Sequence, residues 1–312
     1  MSQQATVEPP VARKPGRKRG TALTTSQTRT AWLLLIPTLL VVAFIALYPL
    51  GQTVYYSFTN KRLASVRPTE WVGLDNYRFL IEDTVFRDAI WTTVQFAAIT
   101  LVAEFILGLI IALVVNSNFK GRGFTRAAML IPWAIPTVVS ARMWAWMYND
   151  IFGVFNDLLR DKLGIIDRNI AWTAEDRYSL WAICAVDIWK TTPFVALLLL
   201  AGLQVIPSDV YEAATVDGAN KFQQFWRITL PLLRPAILVT IIFRTLDALR
   251  VFDVFYVMFG ARRSTQTMAV YAQNNLVAFS DTGYGSAIAV AIFLIIGIFV
   301  VAYVTTLKVE QT

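Results

Sequence analysis

Apolar residues in this chain do not alternate with polar ones; they run together in long blocks. Six stretches, about 31–56, 89–116, 124–148, 180–203, 235–258 and 285–307, are dominated by Leu, Ile, Val, Ala, Phe and Trp. Each exceeds the roughly 18 apolar residues that mark a helix able to cross a bilayer. The pattern therefore predicts six transmembrane helices and an all-α, polytopic integral membrane protein. Pro37, Pro132, Pro136 and Pro193 fall inside these blocks. They do not veto the assignment, because neighbouring helices and cavities satisfy the backbone groups that a proline frees.

Composition agrees. Of the 312 residues 56% are hydrophobic and 16% charged, whereas about 25% charged is usual for a soluble domain. The net charge of +7 is concentrated in the first residues. Arg13, Lys14, Arg17, Lys18, Arg19 and Arg29 are opposed there by Glu8 alone, which places the N-terminus on the cytoplasmic side. Six spans return the C-terminus to the same side. Lys120, Arg122 and Arg126 follow the second span, as an inner loop requires, and the acid-rich segment 149–179, with Asp150, Asp157, Asp161, Asp167, Glu175 and Asp176, suits the outside. Lys61, Arg62, Arg67, Arg78 and Arg87 in the loop 58–88 run against that bias. Membrane orientation accounts for the basic charge better than nucleic-acid binding does. Residues 1–29 read as a basic, disordered cytoplasmic tail, 30–308 as the membrane domain and 309–312 as a short cytoplasmic tail. The long first block has no small-residue cleavage site after it, so a cleaved signal peptide is not expected.

Several chemistries are excluded by residue type. There is no histidine, which removes His-based triads, HExxH zinc sites and haem ligation by His. The single cysteine, Cys184, lies inside the fourth span and has no partner in the chain. No G-x-x-x-x-G-K-[ST] loop cradles a phosphate. If ATP drives this protein, another polypeptide hydrolyses it.

The loop 204–234 is polar between two apolar blocks, and its spacing is specific. Glu212-Ala213-Ala214, three residues, Gly218, nine residues and Ile228-Thr229-Leu230-Pro231 read E-A-A-x3-G-x9-I-x-L-P. Pro207, Ser208 and Asp209 are helix-start residues, and Glu212-Ala213-Ala214 favours a short helix. Gly218 permits a turn that other residues resist. A second helix is expected over Lys221 to Leu230, with Phe222, Phe225 and Trp226 on one side, ended by Pro231 and Pro235. The product is a bent helical knuckle with an aromatic face; an amphipathic connector lying on the membrane is the plainer reading.

Charges recur within the fifth block: Arg244, Asp247, Arg250 and Asp253, every third residue, are expected as a stripe along one helix. Charge at membrane depth is costly, about 2.5–3.5 kcal/mol each on insertion scales, and faces a cavity or another charge. The stripe therefore either neutralises itself or lines a path for a polar solute. The fourth block offers Asp187, Trp189, Lys190, Thr191, Thr192, Pro193 and Phe194, a mixture of flat apolar faces and polar groups suited to a sugar ring.

The E-A-A-x3-G-x9-I-x-L-P loop resembles the cytoplasmic coupling loop of permease subunits of ATP-driven, binding-protein-dependent (ABC) importers, the MetI-like superfamily. Residues 30–308 are similar to that fold. The runs Trp189–Phe194 and Phe243–Ala248, with Val72-Gly73-Leu74-Asp75-Asn76-Tyr77, Ile131-Pro132-Trp133-Ala134-Ile135-Pro136, Gly153 and Asn156, resemble its maltose and trehalose branch. The resemblance implies that Glu212, Ala213, Ala214, Gly218, Ile228, Leu230 and Pro231 couple to an ATPase. It also implies that Trp189, Lys190, Thr191, Phe194, Phe243, Leu246, Asp247 and Arg250 contact a disaccharide such as trehalose or maltose. Asp247, Arg250 and Phe243 stand where the maltose permease pattern has neutral amides and a hydroxyl. A non-catalytic chain with no metal or cofactor of its own is expected, ATP and magnesium residing in two copies of a partner ATPase. A second, different permease, an extracytoplasmic solute-binding protein and a prokaryotic plasma membrane complete the implied assembly.

Other readings remain. Glycerol phosphate could use Lys190, Arg244 and Arg250, against the repulsion of Asp187, Asp247 and Asp253. An ion-coupled carrier could relay a cation through Asp187, Lys190, Asp247 or Asp253, but no internal repeat supports it. An integral-membrane enzyme finds no histidine and no metal or nucleophile constellation, which leaves an acid-based glycan enzyme as the open form of that reading.

Overall fold

The computed structural model of the chain describes residues 22–63 and 65–306. Residues 1–21 of the expected basic tail and the expected tail at 309–312 lie outside the described residues. The chain divides into two compact units, residues 1–52 and 53–312.

In the first unit, α1 (Ala22–Val42) begins ahead of the expected boundary at 29 and passes Pro37 without breaking. A single π turn (Ala43–Leu47) carries it into α2 (Tyr48–Tyr56), the end of which belongs to the second unit. Trp32, Leu34, Phe44 and Ile45 are exposed, as side chains meant for lipid or a protein partner would be.

The second unit continues with α3 (Asp75–Glu82), α4 (Thr84–Asn116), α5 (Arg122–Met129), α6 (Ile131–Ala134), α7 (Thr137–Met147), α8 (Val154–Asn156) and α9 (Asp176–Val205). Next come α10 (Ser208–Val216), α11 (Lys221–Gln224), α12 (Leu230–Leu249), α13 (Asp253–Phe259), α14 (Met268–Gln273) and α15 (Thr282–Thr306). Among the described residues, β-pairing is confined to two isolated bridges, Thr59 with Trp71 and Arg62 with Asp281.

Among the described residues, five helical stretches are long and apolar enough to cross a membrane, and a bent pair makes up to six. The third expected span is that pair: Arg122–Ala134 and Thr137–Met147 meet at 84°. A continuous helix over 124–148 was expected, and Pro136 is why it fails. Proline disfavours helical geometry in the residue before it, and Ile135 is extended, with φ −68° and ψ 132°. Pro132, at the start of α6, is tolerated because a first-turn residue needs no N–H.

The helices α4, α9 and α12 form the centre. Their mutual approach depends on small residues, as in other membrane bundles. A Cβ on Gly108 would lie 2.7 Å from Val195 Cγ1, and one on Gly202 would lie 2.3 Å from Ala236 Cβ. Ala112, Val195, Leu199, Leu203 and Leu233 fill the space between them. A second cluster joins Phe96 on α4 to Phe255 on α13, ring centroids 4.9 Å apart and edge to face.

The connector motifs tie loops to this frame. Gly73 adopts φ +59°, and Asn76 Nδ2 donates to the carbonyls of Ser57 (2.8 Å) and Thr59 (2.9 Å). Buried Asn156 donates to Ile170 O (2.9 Å) and accepts from Ile170 N (3.1 Å) and Trp172 Nε1 (3.0 Å), holding the segment after α8. Outside the spans, Asp83 caps α4 through Val85 N (2.8 Å) and accepts hydroxyls from Tyr284 (2.6 Å) and Tyr271.

Candidate functional site: a charged and aromatic cavity

A cavity of about 680 Å³ opens between α6, α9, α12 and the break before α13. Six of the eight residues expected to contact solute line it: Lys190, Thr191, Phe194, Phe243, Asp247 and Arg250. Trp189 and Leu246 do not line it. Trp189 lies edge to face with Trp144 at 5.6 Å, so its ring serves packing between α7 and α9.

The charged residues do not form one stripe. Helix α12 ends at Leu249, Arg250 has φ −108° and ψ 17°, and Asp253 opens α13. Only Arg244 and Asp247 share a helix, and their roles divide by burial. Arg244 is 2% exposed and fully engaged. Its Nε and Nη2 bind both oxygens of Glu104, Nη2 also binds Asp187 Oδ2, and Nη1 donates to Asp247 Oδ2 at 2.9 Å. The Asp247 side chain is 60% exposed and that of Arg250 69%. Their nearest charged atoms are 3.8 Å apart, beyond hydrogen-bond range. Arg244 is thus held between spans, while Asp247 and Arg250 present polar groups to the cavity.

Lys190 differs from expectation. Its ammonium donates to the carbonyl of Ile135 at 2.6 Å and approaches that of Trp133 at 3.4 Å. Both carbonyls lie at the Pro136 break, where the helical ladder is interrupted. Trp133, not named among the expected contacts, stacks on Phe194 at 5.6 Å and 11° and lines the cavity with it. Phe243 adds a third aromatic surface, 56% exposed.

Glu104 escaped the reading of the sequence. It is fully buried on α4 and is the centre of the ion cluster. The signal was present: it is the only charged residue in the block 89–116, and an isolated acid at membrane depth requires a partner.

The knuckle forms as α10, a turn and α11. Gly218 has φ +84°. Gly218 N donates to Thr215 O (3.1 Å) and Ala219 N to Ala214 O (2.9 Å), the paired bonds that close a helix with a left-handed residue. Asn220 and Gln223 form a reciprocal cap, each bond 2.9 Å. Gln224 Nε2 reaches back to Thr215 Oγ1 at 2.9 Å, and Tyr211 OH meets Thr229 Oγ1 at 3.0 Å. Glu212, Val216, Phe222 and Trp226 stay exposed. Pro231 and Pro235 do not end the second helix. A π turn over Phe225–Thr229 leads into α12, which begins with Pro231 in its first turn and passes Pro235. The helical stretch therefore runs from Lys221 through Leu249.

Residues 104–308 match the family described as "Binding-protein-dependent transport system inner membrane component", and the chain belongs to that family: it is a multi-pass membrane permease. Among its relatives, the sulfoquinovosyl glycerol transport system permease protein SmoG of Agrobacterium fabrum is 43% identical over 84% of this chain and 85% of its own length. The trehalose/maltose transport system permease protein MalF of Thermococcus litoralis is 41% identical, covering 89% of this chain and 93% of its own. The trehalose transport system permease protein SugA of Mycobacterium tuberculosis is 35% identical over 86% and 85%. A chain of the bacterial alginate ABC transporter, solved with an alginate-bound periplasmic protein, superposes with a TM-score of 0.80 at 19% identity, covering 94% of this chain and 99% of that one. At that identity the likeness concerns the fold.

Proposed function

We infer that this chain is the permease subunit of an ATP-driven carbohydrate importer and that its cavity passes a disaccharide of the trehalose or maltose class. The observation that carries the reading is the cavity wall itself. Trp133, Phe194 and Phe243 offer flat apolar faces beside the exposed carboxylate of Asp247 and the guanidinium of Arg250. Sugar rings stack through their C–H faces and bond through hydroxyls at their edges, so they match such a wall. Relatives named for trehalose and maltose transport support the substrate class. Three carboxylates, Asp187, Asp247 and Asp253, line the cavity beside Lys190, Arg244 and Arg250, and their repulsion of an anion disfavours glycerol phosphate.

The chain performs no covalent chemistry in this reading. Two copies of a separate ATPase engage the exposed knuckle around Glu212 and Gly218, a second and different permease completes the pathway, and an extracytoplasmic binding protein delivers the sugar. Both termini face the cytoplasm, as the basic first residues favour. Closure of the ATPases would move α11 and α12 together, because the π turn joins them and neither Pro231 nor Pro235 breaks the helix.

The test is to purify the complex through a tag on this chain and identify its partners by mass spectrometry. ATP hydrolysis is then assayed with binding proteins loaded with trehalose, maltose, sulfoquinovosyl glycerol or glycerol phosphate. Recovery of an ATPase and a second permease, with hydrolysis raised by trehalose or maltose, is expected. Recovery of this chain alone, without nucleotide hydrolysis, would point to an ion-coupled carrier instead.

A further inference from the structure

The Glu104–Arg244–Asp187 cluster joins α4, α12 and α9 at a depth where stability alone does not explain it. Replacing a buried ion cluster by well-packed apolar side chains is often neutral or stabilising. Its geometry, however, leads outward. Glu104 is fully buried and grips the guanidinium side-on through Nε and Nη2. A planar guanidinium held at two of its nitrogens has the direction of the third fixed. That third nitrogen, Nη1, donates to Oδ2 of Asp247 at 2.9 Å. Asp247 Oδ1 remains on the cavity side, 3.8 Å from Arg250.

We propose that Glu104 is a positioning residue for solute passage: through Arg244 it holds Asp247 at a fixed distance from Arg250, so that both groups stay available to a sugar. This rests on the reading of the cavity as the sugar path. Without Glu104, the buried guanidinium keeps its anchor to Asp187 through Nη2 alone, and one such bond does not fix the direction of Nη1. Asp247, largely exposed, then closes the 3.8 Å gap to Arg250, which lies just past the end of α12. A closed pair offers a solute fewer hydrogen-bonding groups, and opening it again opposes each passage.

The experiment is a double-mutant cycle in proteoliposomes holding the whole complex, with trehalose uptake driven by ATP and the loaded binding protein. Glu104→Gln keeps side-chain volume but presents an amide to Arg244. Glu104→Asp keeps the charge with a shorter reach. Expected are a fall in maximal uptake on the order of tenfold for Glu104→Gln, partial recovery in Glu104→Asp, and no further loss when Glu104→Gln is added to Asp247→Asn. Losses that multiply across the two sites overturn the proposal, because Glu104 would then act independently of Asp247. Normal uptake in Glu104→Gln overturns it as well. Failure of both Glu104 variants to assemble into the complex also overturns it, making Glu104 a folding residue. Normal uptake in Asp247→Asn alone removes the cavity reading itself, and is thereby distinguished from a fault in the positioning role.

Discussion

Lys190 on α9 donates its ammonium to the carbonyl of Ile135, 2.6 Å away, and so closes from a neighbouring helix the break that Pro136 makes in the third span. A residue whose type and place pointed to solute binding is therefore also a cap for backbone that no helix satisfies. The bond is part-buried beside the cavity, so its loss should cost about 0.5–1.5 kcal/mol, the net worth of an ordinary hydrogen bond. Lys190→Met is expected to destabilise the purified complex by that order, visible as a lower midpoint of thermal unfolding. Lys190→Arg, which retains donors, should lose less. An unchanged midpoint in Lys190→Met would return Lys190 to the solute-contact set alone.

The close approach of α9 and α12 at Gly202 makes a second prediction. Gly202→Ala would place its Cβ 2.3 Å from that of Ala236, and overpacking of this kind costs about 1–3 kcal/mol. Reduced recovery of folded protein is expected. Gly51→Ala and Gly297→Ala, where an added Cβ meets nothing within 4 Å, are the controls and should behave as wild type in the same fluorescence-detected size-exclusion profile.

Gly218 tests the knuckle. With φ +84°, a side chain there brings a left-handed strain of about 1–2 kcal/mol, and a β-branched one resists the turn further. An added Cβ itself meets nothing within 4 Å, so Gly218→Val should insert into the membrane normally. Its effect should fall on solute-stimulated ATP hydrolysis, which is expected to be lost. Normal stimulation would show that the bend is not needed for coupling.

Acid should loosen the N-terminal end of α4. Burial pushes the Asp83 carboxyl up, but hydrogen bonds from the hydroxyls of Tyr271 and Tyr284 and from the amides of Val85 and Phe86 outweigh it, and the net shift is downward. A carboxylate lowered in the folded state contributes stability that is full above its unfolded pKa and is lost as pH falls through the folded one. Thermal unfolding followed from pH 7 downward should therefore fall more steeply below about pH 4 in wild type than in Asp83→Asn. Parallel curves would show that the Asp83 bonds carry no linked stability.

The helical blocks and the knuckle were legible because each rests on local signals. Unbroken apolar runs identify spans, and Gly218 is needed where the turn takes a positive φ. The same local rules erred where tertiary packing intervened. Pro136, expected to be absorbed like Pro37, bends its span by 84°. Pro231 and Pro235, expected to end a helix, are carried within α12. Proline rules state which hydrogen bond is lost; only neighbours such as Lys190 decide how the loss is met.

By itself, the sequence determined that this is a polytopic helical membrane protein with a polar knuckle between two spans, because run length, glycine and cap residues act within a few positions. It also brought together the residue types from which the cavity is built. Only the tertiary structure decided which of them face the cavity and which are consumed by one another. Glu104 and Arg244 stand 140 residues apart, and no local pattern can pair them. They meet because Gly108 and Gly202 let α4, α9 and α12 approach closely, and at that depth an unpaired charge is too costly to persist.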